Sequence, residues 1–121
     1  MVRGIRGATT VEYDEELLIL KATEELAVKM LEENEVDPED IISVLISTTL
    51  DITSAFPAKA VRSIEGWKYV PVMCTHEMDV VGSMPFCIRI LMHVNTDATQ
   101  QSIQHVYHNN AVNLRPDLQK G

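Results

Sequence analysis

Two arginines occupy positions where a strand should be apolar. Arg89 lies within Phe-Cys-Ile-Arg-Ile-Leu-Met-His-Val, flanked by isoleucines, and Arg6 lies between Ile5 and Gly7 in the segment 2–10. Guanidinium groups are seldom buried without partners. Where an interior strand carries one, it offers a fork of fixed donors to a carboxylate or phosphate. The structural alternative is that each arginine pairs with one of the eighteen acidic residues, and Arg3 is left to that alternative. Arg6 and Arg89 together point to a site for a small anion, and the residue pattern alone goes no further.

The remaining candidates are less specific. Glu77, in Cys-Thr-His-Glu-Met-Asp, reads equally as a general base or a loop carboxylate. Tyr107 reads as a core residue with a polar tip. His105 and His108 have H-x-x-H spacing without a third ligand, so no metal site is expected. Cys74 reads as a buried thiol rather than a nucleophile, and the glycines form no phosphate-binding loop. Cys74 and Cys87 make no Cys-x-x-Cys pair, which fits reduced thiols in the cytoplasm.

These side chains need a scaffold. Residues 2–10 read as a strand. Residues 14–34 read as a helix with Asp14 as N-cap and Leu17, Leu20, Ala27, Met30 and Leu31 facing inward. The run Ile41–Thr49 is apolar on both alternating faces, as for a strand covered on both sides. A loop from Leu50 to Phe56 leads through Pro57 into a second helix ending near Glu65. Strands follow at 68–75 and 86–95. A helical turn is expected at 99–104, an extended stretch at 105–114 and a flexible tail at 116–121. Alternation places Arg89 on a face with Cys87, Leu91 and His93. The order β-α-β-α-β-β-β predicts one α/β sheet with helices on one face. The other face is left open, and oligomerisation would cover it.

Length and charge narrow the class. A chain of 121 residues reads as one domain, 1–121. With three Tyr, two Phe and one Trp, its core must be built from aliphatic side chains. A net charge of −8 argues against nucleic acid and anionic membrane as partners. The start has no apolar run suited to a signal peptide, and no stretch approaches the ~18 apolar residues of a membrane span.

Seven segments in register give a sharper reading: Arg3-Gly-Ile-Arg-Gly-Ala-Thr-Thr-Val-Glu12, Phe56-Pro-Ala-Lys-Ala-Val-Arg62, Gly66-Trp-Lys-Tyr-Val-Pro-Val72, Glu77-Met-Asp79, Cys87-Ile-Arg89, His105-Val-Tyr107 and Leu114-Arg-Pro-Asp-Leu118. Together they resemble the monofunctional chorismate mutases of the trimeric bacterial type over nearly the whole chain. The resemblance implies a mixed five-stranded sheet with two main helices, an α/β (α+β) fold. Three such chains would assemble into a pseudo α/β barrel with active sites between subunits. It implies rearrangement of chorismate to prephenate in one pericyclic step, in phenylalanine and tyrosine biosynthesis, with no cofactor and no metal.

By the same resemblance, Arg89 faces the ether oxygen of chorismate. Arg6 holds the enolpyruvyl carboxylate with Tyr107 beside it, and Glu77 accepts from the ring hydroxyl with Cys74 close by. Phe56, Ala58 and Leu114 form apolar walls, and Met73 contributes backbone. Lys59, Arg62 and Arg115 attract and gate the ring carboxylate. Two competing readings are a reactive-imine deaminase-like trimer and a silent binder of an aromatic precursor.

Overall fold

The computed structural model describes residues 1–114; Arg115 and the tail 116–121 lie outside the described residues. Five strands, β1 (Val2–Thr10), β2 (Ile41–Thr48), β3 (Val72–His76), β4 (Cys87–Asn95) and β5 (Val106–Tyr107), form one sheet in the order β3-β2-β4-β1-β5. Strand β4 is antiparallel to β1 and β2, while β3 is parallel to β2 and β5 to β1. Helices α1 (Glu16–Asn34) and α2 (Ala58–Arg62) complete an α+β fold. Among the described residues, no helix is long and apolar enough to cross a membrane.

The core lies between the helices and one face of the sheet. Ile5, Val44, Ile46, Ile88, Ile90, Met92 and Val94 meet Ile19, Leu26, Ala27 and Met30 of α1 there. Each fully buried side chain of this size contributes about 1.5–3 kcal/mol. Gly7 marks the closest approach of β1 to α1: a Cβ there would strike Met30 Sδ and come within 3.2 Å of Leu26 Cδ1.

Several expectations need correction. Asp14 is not the N-cap of α1; Glu15 holds that position without a side-chain cap. The carboxylate of Asp14 instead accepts from Thr53 N (3.0 Å), Thr53 Oγ1 (2.6 Å) and Ser54 N (3.0 Å). Leu17, expected inside, is 80% exposed, because the inward stripe of α1 begins at Ile19 and continues through Thr23, Leu26, Met30 and Leu31. Strand β2 is covered on one face only in the single chain. A register shift between Ile41 and Ser43 adds Ile42 out of alternation, and Leu45 on the far face is exposed.

Helix α2 ends at Arg62, short of Glu65. Residues 68–70 turn, with Val70 N–H donating to the carbonyl of the buried Trp67, so β3 starts only at Val72. Extension over 105–114 is confined to Val106–Tyr107. From Asn109, whose φ of 53° is left-handed, the chain coils into a 3₁₀ turn through Asn113.

Candidate active site

The sheet register brings together residues far apart in sequence. Across the face without helices, one row reads Tyr107, Ala8, Arg89, Ser47, Thr75, and its neighbour reads Arg6, Leu91, Leu45, Met73. Alternation fixes both rows, since successive side chains of a strand point to opposite faces. A cavity of about 300 Å³ opens over them, lined by Arg6, Ser47, Thr75, Glu77, Arg89, Tyr107 and Leu114 among others.

The start of β4 sets where Arg89 falls. Phe86 adopts a left-handed φ of 49°, which a bulky side chain resists. Asp51 Oδ2 accepts its N–H at 2.9 Å, and Thr49 Oγ1 accepts the N–H of Cys87 at 3.0 Å while donating to Asp51 Oδ1. These bonds hold the strained residue and lock the β4 register. Cys87 is buried, which pushes its thiol pKa up; the neighbouring Arg89 charge opposes the shift without overcoming it.

Inside the cavity the donors outnumber their acceptors. Arg89 Nε lies 3.1 Å from Glu77 Oε2, yet it is buried and makes no aligned hydrogen bond among the described residues, so the pair is a charge contact. Ser47 Oγ donates to the other oxygen, Glu77 Oε1, at 2.6 Å. Both charged side chains keep about a third of their surface in solvent, so the pair adds little stability. The hydroxyl of Tyr107 is also buried without a partner among the described residues. Arg6 is held at its backbone, where its N–H donates to His105 Nδ1 at 2.9 Å. That bond requires an unprotonated Nδ1. Such an array suits a small anion with several oxygens.

The other expected residues lie elsewhere. A second cavity of about 630 Å³ is lined by Glu16, Phe56, Lys59, Cys74, Thr75 and His76 among others. Cys74 pairs with Ile46 and packs against the core, so within one chain it sits across β3 from the Glu77 cavity. Phe56 is 77% exposed, and Lys59 Nζ contacts Glu16 Oε2 at 3.8 Å. Ala58 is buried, Arg62 is exposed on α2, and Met73 is 67% exposed on the open face; none of the three lines either cavity. The cavity-lining residues thus form two groups, Arg6, Glu77, Arg89, Tyr107 and Leu114 on one face of the edge strand β3 and Phe56, Lys59 and Cys74 on the other, with Thr75 bordering both.

Two contributors escaped the sequence reading. Ser47 was hidden in a strand read as uniformly apolar, although Ser43, Leu45, Ser47 and Thr49 share one alternating face. The grip of Asp14 on Thr53 and Ser54 spans some forty positions, beyond any local pattern.

Residues 2–118 match the chorismate mutase type I family. The chain is 55% identical to the chorismate mutase AroH of Bacillus subtilis (strain 168) over 118 residues, covering 98% of this chain and 93% of that protein. It is 50% identical to the chorismate mutase AroH of Thermus thermophilus, covering 98% of each chain. A solved chorismate mutase from Clostridium thermocellum superposes with a TM-score of 0.86 at 45% identity, covering 89% of this chain and 96% of that one. Matched by the family model over nearly its whole length and at least half identical to two curated relatives, the chain belongs to the chorismate mutases of type I.

Proposed function

We propose that the chain converts chorismate to prephenate, with Arg89, Arg6 and Glu77 as its catalytic residues. The observation carrying this reading is the convergence of Arg6, Arg89 and Tyr107 on one cavity, with the Arg89 Nε and the Tyr107 hydroxyl without hydrogen-bond partners among the described residues. The reaction breaks the ether C–O bond while a C–C bond forms within the same molecule. The task of the protein is to hold the chair-like conformer and stabilise charge as it develops.

Each residue then has a stated task. Arg89 places its charge at the ether oxygen, where negative charge grows. Arg6 binds the enolpyruvyl carboxylate, and Tyr107 donates beside it. Glu77 accepts from the ring hydroxyl and favours positive character on the ring. Leu114 supplies an apolar wall.

The working assembly is a homotrimer closed over the helix-free face. Support comes from Leu45, Leu91 and Met73, which expose an apolar row on that face. In this arrangement Phe56, Ala58, Lys59, Arg62 and Cys74 come from a neighbouring subunit: Lys59 and Arg62 meet the ring carboxylate with Arg115 at the mouth, Phe56 and Ala58 form apolar walls, and Cys74 lies near the ring hydroxyl. Cytoplasmic residence agrees with two free thiols.

The decisive experiment follows the ultraviolet absorbance of chorismate with purified protein, in buffer containing chelator and no added cofactor. Rapid conversion to prephenate supports the reading. Chorismate that persists beside folded, trimeric protein would remove it and leave the deaminase-like and silent-binder readings.

A further inference from the structure

The geometry points to Ser47 as a positioning residue for the reaction: its hydroxyl fixes which oxygen of Glu77 faces Arg89. This inference rests on the proposed roles of Glu77 and Arg89.

The sheet register puts Ser47 between the two strands that matter. It pairs with Arg89 of β4 on one side and with Thr75 of β3 on the other, two residues before Glu77. Its side chain lies on the open face and lines the cavity with Arg6, Arg89 and Tyr107. Beyond β3 the backbone of Glu77 is tied down, its N–H donating to the Thr48 carbonyl at 2.8 Å. The Glu77 side chain still has free torsions, and the serine removes that freedom. Ser47 Oγ donates to Oε1 at 2.6 Å, a short bond as expected for a hydroxyl on a carboxylate. Oε2 then sits 3.1 Å from Arg89 Nε.

Two consequences follow for catalysis. First, with Oε1 turned toward the serine, Glu77 presents only Oε2 to Arg89, which disfavours a bidentate pair using both oxygens. Such a pair would neutralise the guanidinium and occupy the edge that must face the ether oxygen. Second, the serine shares the charge of the carboxylate, so Arg89 retains more of its field for the transition state. Both effects act on the charge that grows during reaction, so they belong to turnover more than to binding.

The test uses Ser47→Ala, Ser47→Thr, Glu77→Gln and the double variant Ser47→Ala/Glu77→Gln in the full-length protein. Folding and oligomeric state are checked by circular dichroism and sedimentation. A hydrogen bond to a charged group sets the scale, so Ser47→Ala should lower kcat about tenfold or more, with KM changing by less than about twofold. Ser47→Thr, which keeps the hydroxyl, should restore kcat to within about threefold of the parent. In the Glu77→Gln background the alanine should cost much less, because the charge it positions is gone.

An unchanged kcat in Ser47→Ala would overturn the assignment. So would a threonine variant as slow as the alanine, or an equal loss with and without Glu77. Failure of the underlying site reading looks different: Glu77→Gln and Arg89→Lys would themselves turn over normally, whatever Ser47 does.

Discussion

Oε2 of Glu77 lies 3.1 Å from Nε of Arg89, close enough for full charge attraction but without the alignment of a hydrogen bond. Attraction without a directed bond leaves the guanidinium held in place and still able to donate. This is the condition a fixed electrostatic catalyst requires, since its donors must be aimed before the charge appears.

Replacement of Arg89 by lysine tests that condition. An ammonium keeps the charge but loses the planar fork. Arg89→Lys should lower kcat by about 10²–10³, with a much smaller change in KM. Steady-state kinetics on chorismate decide the matter, and near-normal turnover would remove Arg89 from its assigned place.

Tyr107 should separate stability from function. Among the described residues its buried hydroxyl has no partner, and an unpaired hydroxyl bears a desolvation cost. Tyr107→Phe is expected to match or exceed the parent in stability, by up to about 1 kcal/mol, while KM for chorismate rises severalfold. Thermal melts and kinetics on one preparation suffice. A clear loss of stability would mean the hydroxyl serves the fold rather than the ligand.

The open face offers a test of assembly. Leu91 sits at its centre, paired with Arg6 and Leu45, and contributes nothing to the helix-side core. Leu91→Asp should leave a folded monomer by circular dichroism and sedimentation, with activity reduced at least about a hundredfold. A trimeric Leu91→Asp protein, or a fully active monomer, would contradict the proposed assembly.

Asp14 should show its effect through acid. Hydrogen bonds from Thr53 lead the lowering of its pKa below the ordinary 3.8. The folded chain therefore binds its proton less readily than the unfolded chain. The resulting stabilisation is complete above about 3.8 and fades as pH falls through the lower folded value. Asp14→Ala should melt below the parent near neutral pH, and the two should converge in strong acid. It should also raise KM, since Thr53 and Ser54 carry the chain toward Phe56 and Lys59. A melting difference that does not change with pH would rule out the carboxylate as its source.

Much of this was legible in the sequence, for physical reasons that differ between elements. Strand alternation has a fixed period, so Arg89 could be placed with Cys87, Leu91 and His93 and opposite Phe86, Ile88, Ile90 and Met92, although Phe86 itself turns with a φ of 49° just before the strand. Ile88, Ile90 and Met92 are buried while Arg89, Leu91 and His93 are not; Cys87, at the start of the strand, is buried as well. Helix ends are governed by short-range competition, and there the reading slipped. Asp14 resembled an N-cap, but Thr53 and Ser54 provide its carboxylate with three donors from another part of the chain. The segment 105–114 reads as extended in the sequence. Asn109 turns it instead, donating through Nδ2 to Thr9 Oγ1 and the Thr10 carbonyl. Residue types drew attention to Arg6 and Arg89; that they share a cavity with Tyr107 and Glu77 depends on the strand order, which no local pattern encodes.

The back-to-back cavities on either side of β3 have a genetic consequence. A defect in Arg89 and a defect in Lys59 damage different faces of the same chain. If every working site draws one face from each of two neighbours, two inactive proteins can repair one another. Mixing Arg89 and Lys59 variants by unfolding and refolding them together should then yield intact sites at about one in four positions, as random assortment in a ring dictates. Each doubly damaged site would be matched by one carrying no damage at all.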